Sequence, residues 1–287
     1  MSYDAQRTRS YFDALASREW DRLETTLQGR VKYAIHKRLL ERYVHEGMRV
    51  LDVGSGPGRF AIDVARLGAR VTLVDLSQVQ LDLGRQKLEE AGVMDRVDGF
   101  HRLDVLDLSP IDAAAYDVVV CFGGAISYTV AHHVDALRQL ARVVTRDGTV
   151  LVSVMALLGT LRLIAPLDAA QFLDDFDDHL DWNAVIAGHD VVYTNPGSNE
   201  FHQPLALFTA AGLRGAFEAA GLRTISMATS NPLFPEYQRL PRIDASPVAS
   251  ARFIELETAL AEQPGLVDGG GHLIGIARPA IRAGSSR

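Results

Sequence analysis

Apolar positions along the chain follow two rhythms. Residues 11–27 place Phe12, Leu15, Leu23 and Leu27 at helical spacing among charges. Residues 31–44 repeat the pattern with Val31, Ile35, Leu39 and Tyr43. Gly47 ends this lead-in, and the continuous apolar run RVLDV at 49–53 predicts a first buried strand. A helix is then expected from Arg59 to Leu67, a strand over 71–74, and a helix over 78–91 capped by Ser77 and stopped at Ala91-Gly92. Further strands are expected near 97–102, over 118–122 and over 148–155, with a helix at 134–144 before the last of these. After residue 156 the regularity breaks until a helix at 207–222, a strand at 223–229 and a strand at 272–279. Strands alternating with helices build a mostly parallel sheet with right-handed crossovers, an α/β fold.

Two stretches stand outside that rhythm. Residues 156–206 read as one insertion. Residues 231–268, with Pro232, Pro235, Pro241 and Pro247 and a helix expected at 249–262, read as a second. The chain accordingly divides into an N-terminal helical cap (1–47), a ligand-binding core (48–155), a lid insertion (156–206) and a C-terminal part of the core (207–287) that carries the second insertion.

The chemistry concentrates at LDVGSGPGRF (51–60) and VTLVDLS (71–77). A strand ends at Asp52, a turn carries Gly54, Gly56 and Gly58, and the next strand ends at Asp75. In a βαβ unit such a turn receives a ligand's backbone while the second strand offers a carboxylate to a ribose. Glycine is required where a Cβ would stand between main chain and ligand. A dinucleotide fingerprint would need a glycine at Arg59; the pattern here is D-x-G-x-G-x-G from Asp52 to Gly58.

That pattern resembles motif I of the class I S-adenosylmethionine (SAM)-dependent methyltransferases, strongly over 48–155 and loosely over 207–279. The resemblance implies a Rossmann-like, seven-stranded, mostly parallel sheet with helices on both faces and an antiparallel last strand, plus helical lid insertions. It implies SAM as cofactor and S-adenosylhomocysteine as its product. Gly54, Ser55 and Gly56 would line the methionine and ribose, with Asp52 and Gly58 completing the turn. Asp75 would accept both ribose hydroxyls, Leu76 would pack on adenine, Asp104 would accept from its amino group, and the Val105 amide would face the ring. Phe122 and Gly123 would pass beside the methionine. The segment at 11–22 resembles a cap that closes over SAM, which makes Tyr11 and Trp20 candidates, with Arg30 as partner for the methionine carboxylate.

Methyl transfer is an in-line displacement in which alignment supplies much of the acceleration. A general base is needed only when the acceptor must lose a proton, and His is the usual choice. His132, His133, His202 and Tyr128 are the candidates for that work, with Ser127 able to hydrogen-bond an acceptor. The expected activity is methylation of an oxygen or nitrogen of a small metabolite. A tRNA or protein methyltransferase and a SAM-binding regulator without transferase activity stay open beside it.

Composition narrows the partners. The 287 residues carry a net charge of −7, which argues against an electrostatic grip on nucleic acid. The acidic run FLDDFDDHLDW (172–182) lacks a calcium-loop pattern and reads as a solvated lid-helix face, so no metal is expected. Asn195-Pro196 runs into Gly197-Ser198 and reads as a plain turn. The single cysteine, Cys121, sits mid-strand among valines and reads as a core residue; with a polar N-terminal sequence and no apolar stretch long enough for a bilayer, a soluble cytoplasmic protein is expected. The expected partner is a small-molecule acceptor, with no nucleic acid and no membrane, and a homodimer stays open.

Overall fold

The central sheet is held together by valine- and leucine-rich strands buried on both faces, which only helices on each side can supply. The computed structural model describes residues 3–164, 182–187, 191–193, 204–233 and 241–280. Its strands are β1 (Arg49–Val53), β2 (Arg70–Asp75), β3 (Val97–Arg102), β4 (Tyr116–Cys121), β5 (Val144–Met155), β6 (Val191–Tyr193), β7 (Leu205–Leu207), β8 (Leu222–Ser230) and β9 (His272–Pro279). Seven of them form one sheet in the order β3-β2-β1-β4-β5-β9-β8, and β6 pairs with β7. Neighbours from β3 to β5 run parallel, whereas β9 runs antiparallel to both β5 and β8. This is the Rossmann-like architecture with an antiparallel last strand that the sequence leads one to expect.

Alternate residues of each strand feed two separate cores. Leu51, Val53, Val119 and Val150 face one, with Leu137 and Leu140 of helix α7 (His133–Val143) and Phe217 of α10 (Ala210–Ala219). Val50, Val118, Val120 and Leu151 face the other, with Val31, Ile35 and Leu39 of α3 (Leu27–Tyr43) and Ile62 and Val64 of α4 (Arg59–Arg66). Cys121 is fully buried in the first of these. Among the described residues, no helix is long and apolar enough to cross a membrane.

The lead-in differs from the expected single helix over 11–27. It forms α1 (Ala5–Leu15) and α2 (Ser17–Asp21), broken at Ala16 with φ +44°. Asp4 starts α1 by accepting from the Arg7 amide. The break has a partner: the Gln80 side-chain amide donates to the carbonyls of Phe12 (2.9 Å) and Ala16 (3.3 Å). Ser77, which caps α5 (Gln78–Glu90), also donates to Asp13. Polar groups on α5 thus capture the end of α1, and the chain turns there instead of continuing.

The helix expected over 207–222 is shorter, because Leu205–Leu207 pair in β7 and Thr209 caps α10 by accepting from the Gly212 amide. The second insertion contains α11 (Pro241–Asp244) and α12 (Pro247–Leu260), the latter packed on α3. The acidic run at 172–181 and Asn195-Pro196 lie outside the described residues.

Packing is tight where β9 meets α10. A Cβ at Gly275 would stand 2.4 Å from the fully buried Phe217 ring and 3.1 Å from Leu213. Gly275→Ala is therefore expected to destabilise the fold by about 1–3 kcal/mol, the usual cost of overpacking. Urea denaturation of the purified variant checks this, and an unchanged midpoint would contradict it.

Candidate active site

Strands β1, β2, β3 and β4 deliver their carboxyl ends to one crevice of about 940 Å³, its open mouth included. Ligands of open α/β sheets bind at this edge, where the strand order reverses. The reversal here lies between β1 and β4, with β2 and β3 on one side and β5 on the other.

The floor is the turn after β1. Gly54 and Ser55 amides donate to the Val74 carbonyl at 2.8 and 3.1 Å, which fixes the turn to the end of β2. Gly54 holds φ +67°, and a Cβ on it would meet the Ala125 side chain at 2.7 Å. The Gly56 amide donates to Asp75 Oδ2 and the Ser77 amide to Asp75 Oδ1, both at 2.8 Å. Each Asp75 oxygen therefore keeps a lone pair for a ligand.

Burial pushes the Asp75 carboxyl up to about 6 even though the Ser77 and Gly56 amides pull it down. Asp52, behind it, is pushed to about 7 by burial and then by the Asp75 charge. Its Oδ2 is buried with no hydrogen-bond partner.

One wall carries Leu76, Leu103, Asp104 and Val105 beyond β2 and β3. Asp104 accepts from the Leu106 amide and, at 2.7 Å, from the Tyr3 hydroxyl. Burial, and then the hydrogen bond and charge of Asp104, push the Tyr3 hydroxyl far above the ordinary tyrosine pKa. The opposite wall carries Phe122, Gly123, Ala125, Tyr128 and Thr129. Gly123 lies open to Arg22, whose Nη2 would be 3.3 Å from a Cβ at that position. Arg22 in turn donates to Glu19 at 2.5 Å, and both line the crevice.

Of the positions singled out from the sequence, Asp52, Gly54, Ser55, Gly56, Asp75, Leu76, Asp104, Val105, Phe122, Gly123 and Tyr128 line this crevice. Others are placed elsewhere. Gly58 sits behind the floor as the left-handed cap of α4, with Leu73 3.2 Å from where its Cβ would be. Trp20 is turned to the outside of the turn, where the Arg59 guanidinium lies 3.8 Å from its ring centre and Lys87 5.1 Å away. Tyr11 packs edge-on against Phe12, and it is Phe12 that reaches the crevice.

Arg30 is held by Asp244 at 2.5 Å and by the Glu24 carbonyl, away from the site. Arg22, by contrast, lines the crevice. His132 is a surface residue, 52% exposed in its side chain, beside Asp135. His133 is buried, its Nδ1 2.8 Å from the Val130 carbonyl and its ring edge-on to Phe208. Neither histidine lines the crevice, and His202 lies outside the described residues. Tyr128 does line it, with its hydroxyl held neutral by burial and its ring edge-on to Phe12.

Sequence reasoning missed Tyr3, Thr8, Phe12, Glu19, Arg22 and Leu23, all on the N-terminal segment. Glu19 and Arg22 stand three residues apart on and just beyond a short helix, a spacing that reads equally as a solvated surface pair.

Comparison with known proteins agrees with this geometry. Residues 50–148 match the family model for a methyltransferase domain. Over 151 residues the chain is 34% identical to the ubiquinone biosynthesis O-methyltransferase of Sodalis glossinidius, a match covering 50% of this chain and 57% of that protein. Over 94 residues it is 35% identical to the tRNA 5-carboxymethoxyuridine methyltransferase of Escherichia coli K12, covering 31% of this chain and 36% of that protein. The chain thus spans about half the length, or less, of these relatives. In fold it is similar to the 1,6-didemethyltoxoflavin-N1-methyltransferase of Burkholderia thailandensis, solved with bound 1,6-didemethyltoxoflavin and S-adenosylhomocysteine, at a TM-score of 0.57 and 18% identity over 96% of this chain and 88% of that one.

The raised carboxyls have a consequence for stability. A group that holds its proton more tightly when folded favours the folded state less and less as pH climbs from its unfolded to its folded pKa. For Asp52 that window runs from about 4 to about 7. Asp52→Asn should therefore gain stability relative to wild type as pH rises through the window. Paired urea titrations of the ligand-free proteins would show it; a difference independent of pH would contradict the raised value.

Proposed function

We propose that the chain, whose residues 50–148 match a methyltransferase domain, is a class I S-adenosylmethionine-dependent methyltransferase that moves a methyl group from SAM to an oxygen or nitrogen of a small-molecule acceptor. The observation that carries this reading is the pair of carboxylates, Asp75 and Asp104, at the ends of adjacent strands above a turn pressed against β2 and Ala125. Two acceptor oxygens with spare lone pairs suit the vicinal hydroxyls of a ribose, which assigns that role to Asp75. The apolar side chains of Leu76, Leu103 and Val105 suit a purine ring, with Asp104 accepting from its amino group.

The far end of the crevice suits a free amino acid. Arg22 offers donors to a carboxylate and Glu19 offers an acceptor to an ammonium, a match to the methionine end of SAM. When bound, SAM supplies a methyl carbon activated by a positively charged sulfur. The chain contributes alignment and exclusion of water: Tyr3, Thr8 and Phe12 roof the crevice, and Phe60 and Phe122 wall it. Tyr128 is the crevice hydroxyl available to orient an acceptor. The net charge of −7 favours a small acceptor over the tRNA that the E. coli relative modifies.

Calorimetric titration with SAM, S-adenosylhomocysteine and NADH tests the cofactor. The first two should bind and NADH should not. Asp75→Ala and Arg22→Met should each weaken S-adenosylhomocysteine by roughly tenfold or more, the cost of a charged hydrogen bond, while Arg30→Met leaves it unchanged. Unaltered affinity in Asp75→Ala would overturn the assignment. Release of S-adenosylhomocysteine from SAM on adding mixtures of small phenols and amines would then establish transfer.

A further inference from the structure

Tyr3 in the roof of the crevice and Asp104 in its wall stand 101 residues apart in the chain and are joined by a hydrogen bond. Each is held from its own side. Tyr3 precedes Asp4, the cap of α1, and so takes its place from that helix. Helix α1 is itself tied to α5, where Gln80 donates to the Phe12 and Ala16 carbonyls and Ser77 donates to Asp13. Asp104 stands two residues beyond β3, in a bend fixed by the Leu103 amide donating to the Asp75 carbonyl at 3.1 Å. The Asp107 amide donates to the Asp104 carbonyl at 2.9 Å, and the Leu106 amide donates to Asp104 Oδ1 at the same distance.

The hydrogens at this pair can be assigned one by one. A phenol has a single hydrogen, and Tyr3 gives it to Asp104 Oδ2 at 2.7 Å. Burial, then the hydrogen bond and charge of Asp104, then the charge of Asp4, hold that hydrogen on Tyr3 far beyond the ordinary tyrosine range. Asp104 Oδ1 takes the Leu106 amide and Oδ2 the Tyr3 hydroxyl, so each oxygen keeps a lone pair. Neither side chain has a hydrogen left for a ligand. For Tyr3 to turn its own toward one, it would have to abandon a carboxylate, and hydrogen bonds to charged groups are the strong ones.

Purines differ in what they present at carbon 6. Adenine carries an amino group there, which donates; hypoxanthine and guanine carry an oxo group, which only accepts. An amino group against Asp104 gains a charge-assisted hydrogen bond. An oxo group in the same place would set acceptor against acceptor and leave both unpaired, which is costly away from water. The sugar cannot make this distinction, because Asp75 would accept the same two hydroxyls from any ribonucleoside. Discrimination among ribonucleosides therefore falls to the purine end.

We propose that Tyr3 is a specificity-determining residue for the nucleoside: by committing its one hydrogen to Asp104 it fixes the carboxylate and leaves the pair as acceptors only, so that the crevice takes a 6-amino purine and rejects a 6-oxo purine. The proposal rests on the crevice being the SAM site with its purine at Asp104. Because Tyr3 belongs to the roof, the same bond closes the N-terminal segment over the purine it selects.

The test compares S-adenosylhomocysteine with S-inosylhomocysteine, which carries an oxo group at carbon 6 in place of the amino group, by calorimetric titration of the full chain. Wild type should bind S-adenosylhomocysteine at least about a hundredfold more tightly, since a site built to accept from an N–H rejects the analogue that lacks it. Tyr3→Phe keeps the ring in the roof and removes only the hydroxyl; it should cut that ratio by about tenfold. A residue that merely roofs the crevice would lower both affinities together and leave the ratio alone. Asp104→Asn, which offers amide hydrogens in the same shape, should bring the ratio close to one or invert it.

A preference present in wild type and undiminished in Tyr3→Phe would overturn the proposal. Equal binding of the two nucleosides by wild type, or a full preference kept in Asp104→Asn, would instead overturn the placement of the purine at Asp104. Failure of wild type to bind S-adenosylhomocysteine at all would overturn the reading of the crevice.

Discussion

The site depends on the attachment of one turn to one neighbouring strand. Gly54 and Ser55 donate to the last carbonyl but one of β2, and Gly56 donates to the carboxylate of the residue that ends it. Three consecutive amides are thereby satisfied without a helix or a ladder, which is what a buried backbone requires. The same bonds place Asp75 above the turn and spend one lone pair on each of its oxygens. Asp52 lines the crevice beside it with an unpaired oxygen, and burial keeps its proton near neutrality. The floor of the crevice and the acid that faces a ligand are thus one hydrogen-bonded unit, and neither can shift alone.

Much of this was legible in the residues. Strands buried on both faces leave continuous apolar runs, so β1, β2, β4 and β5 could be read within a residue or two at most ends. The glycine spacing and the two strand-end aspartates located the crevice, because position at a carboxyl end is enough to place a side chain there. The N-terminal segment was not legible in the same way. Its break at Ala16 is made by Gln80, sixty-four residues on, and no local pattern announces a tertiary hydrogen bond. Arg22 and Arg30 are indistinguishable as charges on amphipathic stretches; only the path of the chain after α2 sends one to Gly123 and the other to Asp244.

Histidine was the least readable residue type. His132 and His133 follow the loop after β4, yet a single turn of chain directs one to solvent and the other into the core beside Phe208. His36 lies within an amphipathic helix and His272 opens a late strand, so neither carries a local signal. They meet because α3 crosses the face of the sheet at the edge where β9 begins.

The reversed direction of β9 has a bearing on how such a protein can change. The polypeptide leaves the functional rim at the end of β8 and returns to it at the start of β9, so the whole span 231–271 is anchored at both feet on the same rim. Surface connections tolerate insertion and replacement far better than the ladders they join. New segments spliced between those two feet would remodel that part of the rim while β1 and its turn, four strands across the sheet from β8, and Asp75, five strands across, keep their register. The β8–β9 connection and the glycine turn are in that sense separately heritable.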